Sequence, residues 1–548
     1  MSSDEFYKIV NDKLKSLNLE EIKKVLNNII RKVPMNKYDE IVEIFNKRKY
    51  EINEDDINQK IKYYKKKFKE IDEFQVHFRA TGYEDYGDYY NPWGGDWVWE
   101  YSDDDNIKTL IEDSLLLAID LTNKKHYDKA KILFDLILYT NYQVLDEDGE
   151  DNFEISLREL ENEKLITISI DKLCLYTIYT TYQLSSKENR AINIYRYFEN
   201  NNFKNINIME AFKLGTEMVD DIDEFINEWI CLLLEKEGNE AYFLLKEALE
   251  YNNFNNYQKY IDGFAKYHPQ IYLDIFEYLE KSNQIDEILN VGNKALMLVD
   301  CNLTIRSKIA LYLAKYDNDN QEKYVLEGFK SDTNVPNLLR IINNDYYLKH
   351  KEDIDSRICI NSNRVSYYIC NELNKNEIDE EKYNYLKFFT GNFDEVFETC
   401  LKYKNTIGWS GSPITYYVYL WLLSFNKTKE TKAYNTILFD TFDKLGFKEN
   451  TMLLDDDYSL IFNKWIKNME VINKDKYLDW LLNIISKRVN DIVSNNHRGS
   501  YYKAAILVVA FGEVLESNNI KTKEEFINEY HQKYVRHTAF RKELRNYL

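Results

Sequence analysis

Seven histidines, His77, His126, His268, His350, His497, His531 and His537, are the side chains best suited to move protons or ligate metal near neutral pH. A helical zinc site spaces two of them three or four residues apart, as HExxH does, so that both face one side. HExxH is absent and the nearest pair, His531 and His537, is six apart, which predicts surface or capping roles. The six cysteines, Cys174, Cys231, Cys301, Cys359, Cys370 and Cys400, form no CxC or CxxC pair able to grip zinc or run dithiol chemistry. Contexts such as Leu173-Cys174-Leu175 and Ile230-Cys231-Leu232 are apolar, raise a thiol pKa and predict core residues. The acidic run Asp146 to Asn152 places its glycine fourth, where a calcium loop needs it sixth, and Asp317 to Asn320 lacks the following Gly and Glu. Both read as solvated loops. Neither GxxxxGK nor GxGxxG occurs, so no backbone nest for a triphosphate or dinucleotide is expected, and the GxSxG nucleophile elbow is absent as well. Carboxylate pairs abound only because acids do. The expectation is a chain with no catalytic residue, no cofactor and no metal site.

What stands out instead is aromatic. The segment from Arg79 to Tyr101, RATGYEDYGDYYNPWGGDWVWEY, holds four of the sixteen glycines and three of the eight tryptophans. Gly82, Gly87 and Pro92-Trp93-Gly94-Gly95 enforce turns, while Trp97, Val98 and Trp99 favour an extended segment or short hairpin. Exposed Trp and Tyr dominate interface hot spots, which makes Trp93, Trp97, Trp99, Tyr89 and Tyr90 candidate partner-binding residues. The competing reading is structural, with the tryptophans pinning a long connection onto a helical body. Trp409, in the loose stretch Asn405 to Pro413 (NTIGWSGSP), joins the candidates as an interhelical-loop residue able to line a groove. Asp103, Asp104 and Asp105 are expected to cap the next helix.

The elements that would position these residues are helical. Gly (16) and Pro (5) total 21 of 548 residues, too few chain reversals for a turn-rich β architecture. Ile57, Ile61, Tyr64, Phe68 and Ile71 step by three and four and line one face of a helix, with Lys60, Lys62, Lys65, Lys66, Lys67 and Lys69 around the rest. Acids at its start and lysines toward its end suit the helix dipole. The basic run reads as a solvated face, with contact to an anionic partner as the alternative. Residues 1 to about 75 read as a small helical unit, with Pro34 expected to mark a break between two of its helices. The start of the chain lacks a cationic segment followed by an apolar run, so no cleaved leader is expected. Ala504 to Phe511 is far short of the roughly 20 apolar residues that span a bilayer and reads as a buried helix.

The charge balance, 72 Lys plus Arg against 93 Asp plus Glu, is −21. It repels polyanions, argues against nucleic-acid binding and steers toward basic partners. From Ile107 onward short polar breaks at Asp146 to Asn152, Ser185 to Asn189, Asn200 to Asn205, Asn252 to Asn256 and Asp317 to Asn320 separate helical stretches, as stacked antiparallel hairpins require. Tyr127, Ala130 and Phe134 share an aromatic, small, aromatic spacing, with Ala118 on the preceding helix. Phe393, Val396 and Cys400 repeat it after Gly391-Asn392, as do Tyr502, Ala505 and Val509. A small residue there lets two antiparallel helices approach while the flanking aromatic fills the groove of the next pair.

On these residues KKHYDKAKILFDLIL (Lys124 to Leu138) resembles the second helix of a tetratricopeptide repeat, and TGNFDEVFETCLKY (Thr390 to Tyr403) resembles a degenerate one. That resemblance implies a superhelical scaffold whose groove binds protein or peptide segments. The C-terminal run from His497 is similar to the helical portion that accompanies SWIM zinc fingers in bacterial proteins, but CxC followed by CxH is missing and no zinc site carries over. In the last segment Phe540, Leu544 and Tyr547 share one face and predict a docked capping helix. The expected fold is therefore all-α, a tetratricopeptide-like solenoid with one aromatic, Gly-rich loop or short hairpin near 79–101. Its expected divisions are 1–75, 76–106, 107–345 and 346–548. The expected function is a non-catalytic cytoplasmic scaffold that binds a protein or peptide partner, basic in character, with no membrane and no nucleic acid. The alternatives are a ligand- or peptide-gated regulator and, behind it, an enzyme whose site is assembled from distant helices.

Overall fold

The computed structural model describes residues 54–85, 96–146, 152–214, 219, 221–359, 376, 378–403, 407, 413–427, 431–447, 458–468 and 474–547, with Val25 and Lys37. It is mostly helical, and one small mixed sheet accompanies 26 helices among the described residues. The chain divides into two compact units, Met1–Leu173 and Cys174–Leu548.

In the first unit, α1 (Glu54–Asp72) buries Ile57, Ile61, Phe68 and Ile71, the stripe its spacing predicts, with Glu54, Asp55 and Asp56 in the first turn and Lys69 in the last. Its lysines are largely spent within the helix: Lys60 pairs with Asp56, Lys66 and Lys67 with Glu70, and Lys69 with Glu73. The strands β1 (Phe78–Asp85) and β2 (Asp96–Ser102) form the antiparallel hairpin expected near 79–101. Asp103 then accepts from the backbone N–H groups of Ile107 and Lys108, both at 2.8 Å, and starts α2 (Ile107–Asn123). A tight turn leads to α3 (Tyr127–Tyr139), which packs on α2 and α1 with Ala118, Ala130 and Phe134 fully buried.

The acidic run after Asp146 does not separate two helices as expected. It joins β3 (Gln143–Asp146) to β4 (Asn152–Glu154), and the sheet order is β2-β1-β3-β4 with β1 and β3 parallel. Strands this short leave almost no alternation to read, and β1, the parallel partner of β3, lies more than 60 residues earlier. One sheet face is covered, burying Phe78, Ala80 and Val144. A capping box at Ser156 and Glu159 opens α4 (Leu157–Asn162), and α5 (Ile170–Leu184) continues into the second unit.

The second unit continues with α6 (Arg190–Tyr195), α7 (Ile208–Ala211), α8 (Ile222–Leu233), α9 (Asn239–Tyr251), α10 (Tyr257–Tyr260) and α11 (Phe264–Tyr267). Then come α12 (Ile271–Lys281), α13 (Ile285–Leu298), α14 (Ile305–Tyr316), α15 (Gln321–Ser331), α16 (Val335–Asn343) and α17 (Lys351–Arg357). Each of α12 to α15 packs on the next, and α12 also touches α14. Asn334 caps α16 with Pro336 in its first turn, and every residue from Val335 to Ile342 is buried, because α15, α18 and α22 surround it. The rest comprises α18 (Glu380–Phe389), α19 (Phe393–Lys402), α20 (Pro413–Phe425), α21 (Lys432–Lys444), α22 (Tyr458–Asn468), α23 (Lys474–Ser494), α24 (Tyr501–Ser517), α25 (Lys523–Lys533) and α26 (Thr538–Asn546). The apolar α24 is the centre of this region, packed by α20, α21, α23, α25 and α26, and it buries Ala504 to Leu515 without a break. Phe540 and Leu544 seat α26 against it, as their shared face predicts.

Five expectations about individual side chains are corrected. Tyr502 is not a groove-filling residue: it is 44% exposed, and Tyr501, one position earlier, is the buried ring against Phe540. Cys231, Cys301 and Cys359 are exposed, whereas Cys174 and Cys400 are buried and Cys370 lies outside the described residues. In α8 the buried stripe is Phe225, Ile226, Trp229, Ile230 and Leu233, and Cys231 stands about 100° from Ile230 on the other side. His268 has no surface role. It is fully buried, with Nε2 2.9 Å from the Leu233 carbonyl oxygen, and burial lowers its pKa. His126, His350, His497 and His537 stand at helix N-cap positions, but none makes a side-chain capping hydrogen bond there.

Candidate functional site

Trp97 and Trp99 lie on β2, two residues apart, and the ladder to β1 pairs Trp97 with Glu84, Val98 with Tyr83, Trp99 with Gly82, Glu100 with Thr81 and Tyr101 with Ala80. Directly opposed residues share a sheet face, so Trp99 stands on the side of Ala80 and Phe78, the covered one. Gly82 opposite it has no side chain to occupy the space, and the indole lies 5.7 Å from the ring of Phe153 on β4. The ring is 38% exposed, at the margin of that core. Tyr83 and Glu100 are exposed, and Arg79 at the start of β1 pairs with Asp104 at 3.6 Å. Trp93, Tyr89, Tyr90 and Trp409 lie outside the described residues.

The electrostatics of this strand are negative. The Tyr101 hydroxyl is held above its ordinary pKa first by burial and then by the fields of Glu163 and Glu159. A surface of this kind can bury aromatic faces, donate and accept backbone hydrogen bonds and attract cations.

Ionisable groups in the second unit are drawn into fixed pairs. Asp221 accepts from the Tyr182 hydroxyl and from Arg190, each at 2.6 Å, and the guanidinium covers the Tyr182 ring at 4.1 Å. Hydrogen bonds from Tyr182 and Arg190 outweigh burial and bring the Asp221 carboxyl down to about 2. Tyr242 and Lys246 on α9 both donate to Asp274 on α12, at 2.9 and 2.6 Å. Tyr257 donates to Glu287 on α13 at 2.9 Å. Glu280 accepts from Lys315, Tyr312 and Tyr316 of α14, and these bonds bring it down to about 2. Carboxylates held this far below neutrality stay ionised and cannot serve as general acids.

Two acids run the other way. Glu247 on α9 accepts from the Met209 backbone N–H at 2.8 Å, at the start of α7, and burial pushes it up to about 7. Glu513 in α24 is 1% exposed, accepts from Asn426 at 3.1 Å and Thr431 at 2.8 Å, and is likewise raised by burial. Lys523 stands 3.8 Å from it. Both acids tie one segment to another. No group of three or more His, Cys, Asp or Glu among the described residues can hold a metal ion, and no described helix is long and apolar enough to cross a membrane.

Sequence reasoning missed a shallow groove on α21 lined by Lys432, Asn435, Thr436, Phe439 and Asp440. Phe439 is 64% exposed while Tyr434, Leu438 and Phe442 are buried, so an aromatic off the apolar stripe was the available signal. It also passed over Tyr83 and Glu100, which the alternation in DWVWEYS and its partner strand would have assigned to one face. Compared with protein-family models, with curated proteins and with solved structures, the chain matches none of them.

Proposed function

We propose that this chain is a non-catalytic scaffold, a tetratricopeptide-like stack of helix hairpins that binds a protein partner in the cytoplasm, with Trp97 and Trp99 as anchors. One observation carries the reading: six side-chain hydrogen bonds in α8 to α16 join residues 30 to 33 positions apart, among side-chain to side-chain bonds between helices there that span from 21 to 36. Tyr260 to Asn227 spans 33 residues, Tyr242 to Asp274 32, Tyr257 to Glu287 30, Tyr312 to Glu280 32, Tyr324 to Asn293 31 and Asn337 to Ser307 30. A stack in which each hairpin touches its neighbours produces such a series, because equivalent positions meet once per repeat. Consecutive packing of α12 to α16 supports it too. Bodies of this kind work by presenting an extended surface, and the net charge of −21 favours basic partners.

The test is capture of partners by the tagged full chain from its native lysate, at low and high salt. The expected result is one stoichiometric partner that survives high salt and is lost when Trp97 and Trp99 are both replaced by Ala with helicity unchanged. A partnerless monomer at both salt concentrations overturns the scaffold. Capture unaffected by the double substitution overturns the role of β2.

A further inference from the structure

We propose that β2 is a docking edge for strand addition, and that its occupant is an extended peptide segment in which Lys or Arg alternates with apolar residues. This deepens the partner-binding reading and rests on it only for the premise that a partner exists.

Among the described residues the sheet order makes β2 and β4 the two terminal strands. A terminal strand offers every second backbone N–H and C=O to another chain, and proteins normally blunt such edges by shortness, bulges, Pro or Lys. β4 is blunted, having only three residues. β2 carries none of these defences in its own sequence or register. Its seven residues, DWVWEYS, include neither Pro nor Lys, and its register with β1 runs from Arg79 opposite Ser102 to Asp85 opposite Asp96 without an inserted residue, so the strand is unbulged. Val98 and Tyr101 are half-buried and Trp99 is 38% exposed, which leaves apolar surface on both faces of the strand for alternate side chains of a partner to cover.

The chemistry of the occupant follows from charge. Asp96 to Asp105 holds five Asp and Glu and no Lys or Arg. Glu100 is exposed in the middle of the strand, and Glu159 and Glu163 add to the field at Tyr101. Arg79, opposite Ser102 on β1, already pairs with Asp104. Cross-strand pairing favours opposite charges and penalises like ones, so a basic strand fits and an acidic one does not. The same argument excludes a second copy of this chain, which would lay one acidic strand beside another in a molecule of charge −21.

The experiment is amide hydrogen exchange of the full-length protein over residues 96–102, alone and with three synthetic heptapeptides: alternating lysine and valine, alternating glutamate and valine, and the lysine peptide with its two inner lysines replaced by proline. The lysine–valine peptide is expected to slow exchange in β2 and to shift tryptophan emission, with affinity falling as salt rises. The other two are expected to do neither. Glu100→Lys is expected to weaken the lysine–valine peptide by about fivefold. Protection, in the free protein, of the β2 amides that point away from β1 overturns the proposal, since the edge would then be covered. So does the absence of protection by the lysine–valine peptide. Equal protection by the lysine and glutamate peptides removes the basic partner, and protection that grows with protein concentration alone assigns the edge to a second copy. A partner captured from lysate without any peptide effect at β2 sinks this inference and leaves the scaffold standing. Peptide protection without a captured partner does the reverse.

Discussion

The Tyr312 hydroxyl on α14 donates to Glu280 on α12 at 2.5 Å, joining residues 32 positions apart on two helices that pack side by side. Lys315 donates to the same carboxylate at 2.6 Å, and Tyr316 donates to it as well. Replacing Tyr312 by Phe removes a hydrogen bond to a charged acceptor without opening a cavity, and is expected to cost about 1.5 kcal/mol in urea unfolding. The pH dependence has a definite sign. With its pKa lowered from 4.5 to about 2, Glu280 contributes stability that is complete above the ordinary carboxylate range and is lost as pH falls toward 2. Much of the side chain is solvated, so screening keeps that contribution to about 1 kcal/mol. Denaturation midpoints of wild type and Glu280→Gln that run parallel from pH 5 to pH 2 would contradict it.

Glu247 is expected to behave oppositely. Its pKa is raised to about 7, chiefly by burial, so its contribution is present at low pH and is lost as pH rises through 7. Glu210 and Glu250 add like charge, while the N–H groups of Met209 and Ile208 oppose the shift. Glu247→Gln is expected to flatten the stability profile between pH 4.5 and 7 and to exceed wild type above pH 7 by on the order of 2 kcal/mol. Parallel profiles for the two proteins would dismiss the assignment.

Thiol reactivity separates the cysteines by position. Burial pushes the Cys400 thiol up to about 12, and Cys174 is equally enclosed, donating to the Asn202 carbonyl at 3.3 Å. Brief native alkylation followed by peptide mass spectrometry is expected to modify Cys231, Cys301 and Cys359 and to spare Cys174 and Cys400 until denaturant is added. Modification of Cys400 at the rate of Cys231 would contradict the packing of α19.

Gly292 marks the closest approach of α13 to α14. A Cβ at that position meets the buried side chain of Leu313, which has little room to retreat. Gly292→Ala therefore sets a small helix-propensity gain against overpacking, and a net loss of about 1–3 kcal/mol is expected. Gly499→Ala is the control, because nothing lies within 4 Å of its Cβ. Equal thermal midpoints for the two variants would refute the close approach.

What could be read from the chain alone was local. The stripe of Ile57, Ile61, Phe68 and Ile71 follows from a period of 3.6 residues, and the buried Phe540 and Leu544 follow from the same geometry, since side chains three or four apart must share a helix face. The hairpin around Trp97 and Trp99 and the cap at Asp103 were equally legible, because aromatic β propensity and capping act within a few residues. Tertiary structure decided everything that depends on which face meets which. The pairing of β1 with β3 joins Phe78 to Val144, and no local pattern encodes a partner 66 residues away. Cys231 was read as buried from apolar neighbours, but a wide apolar run on a helix does not say which of its sides is covered. Tyr501 and Tyr502 are identical in type and adjacent, and only the seat of Phe540 selects the first. The spacing of about 30 residues from Tyr260–Asn227 to Asn337–Ser307 is also invisible in sequence, because the partners differ in type from one pair to the next. A hydrogen bond needs only a donor and an acceptor brought together, and packing of the helices is what brings them.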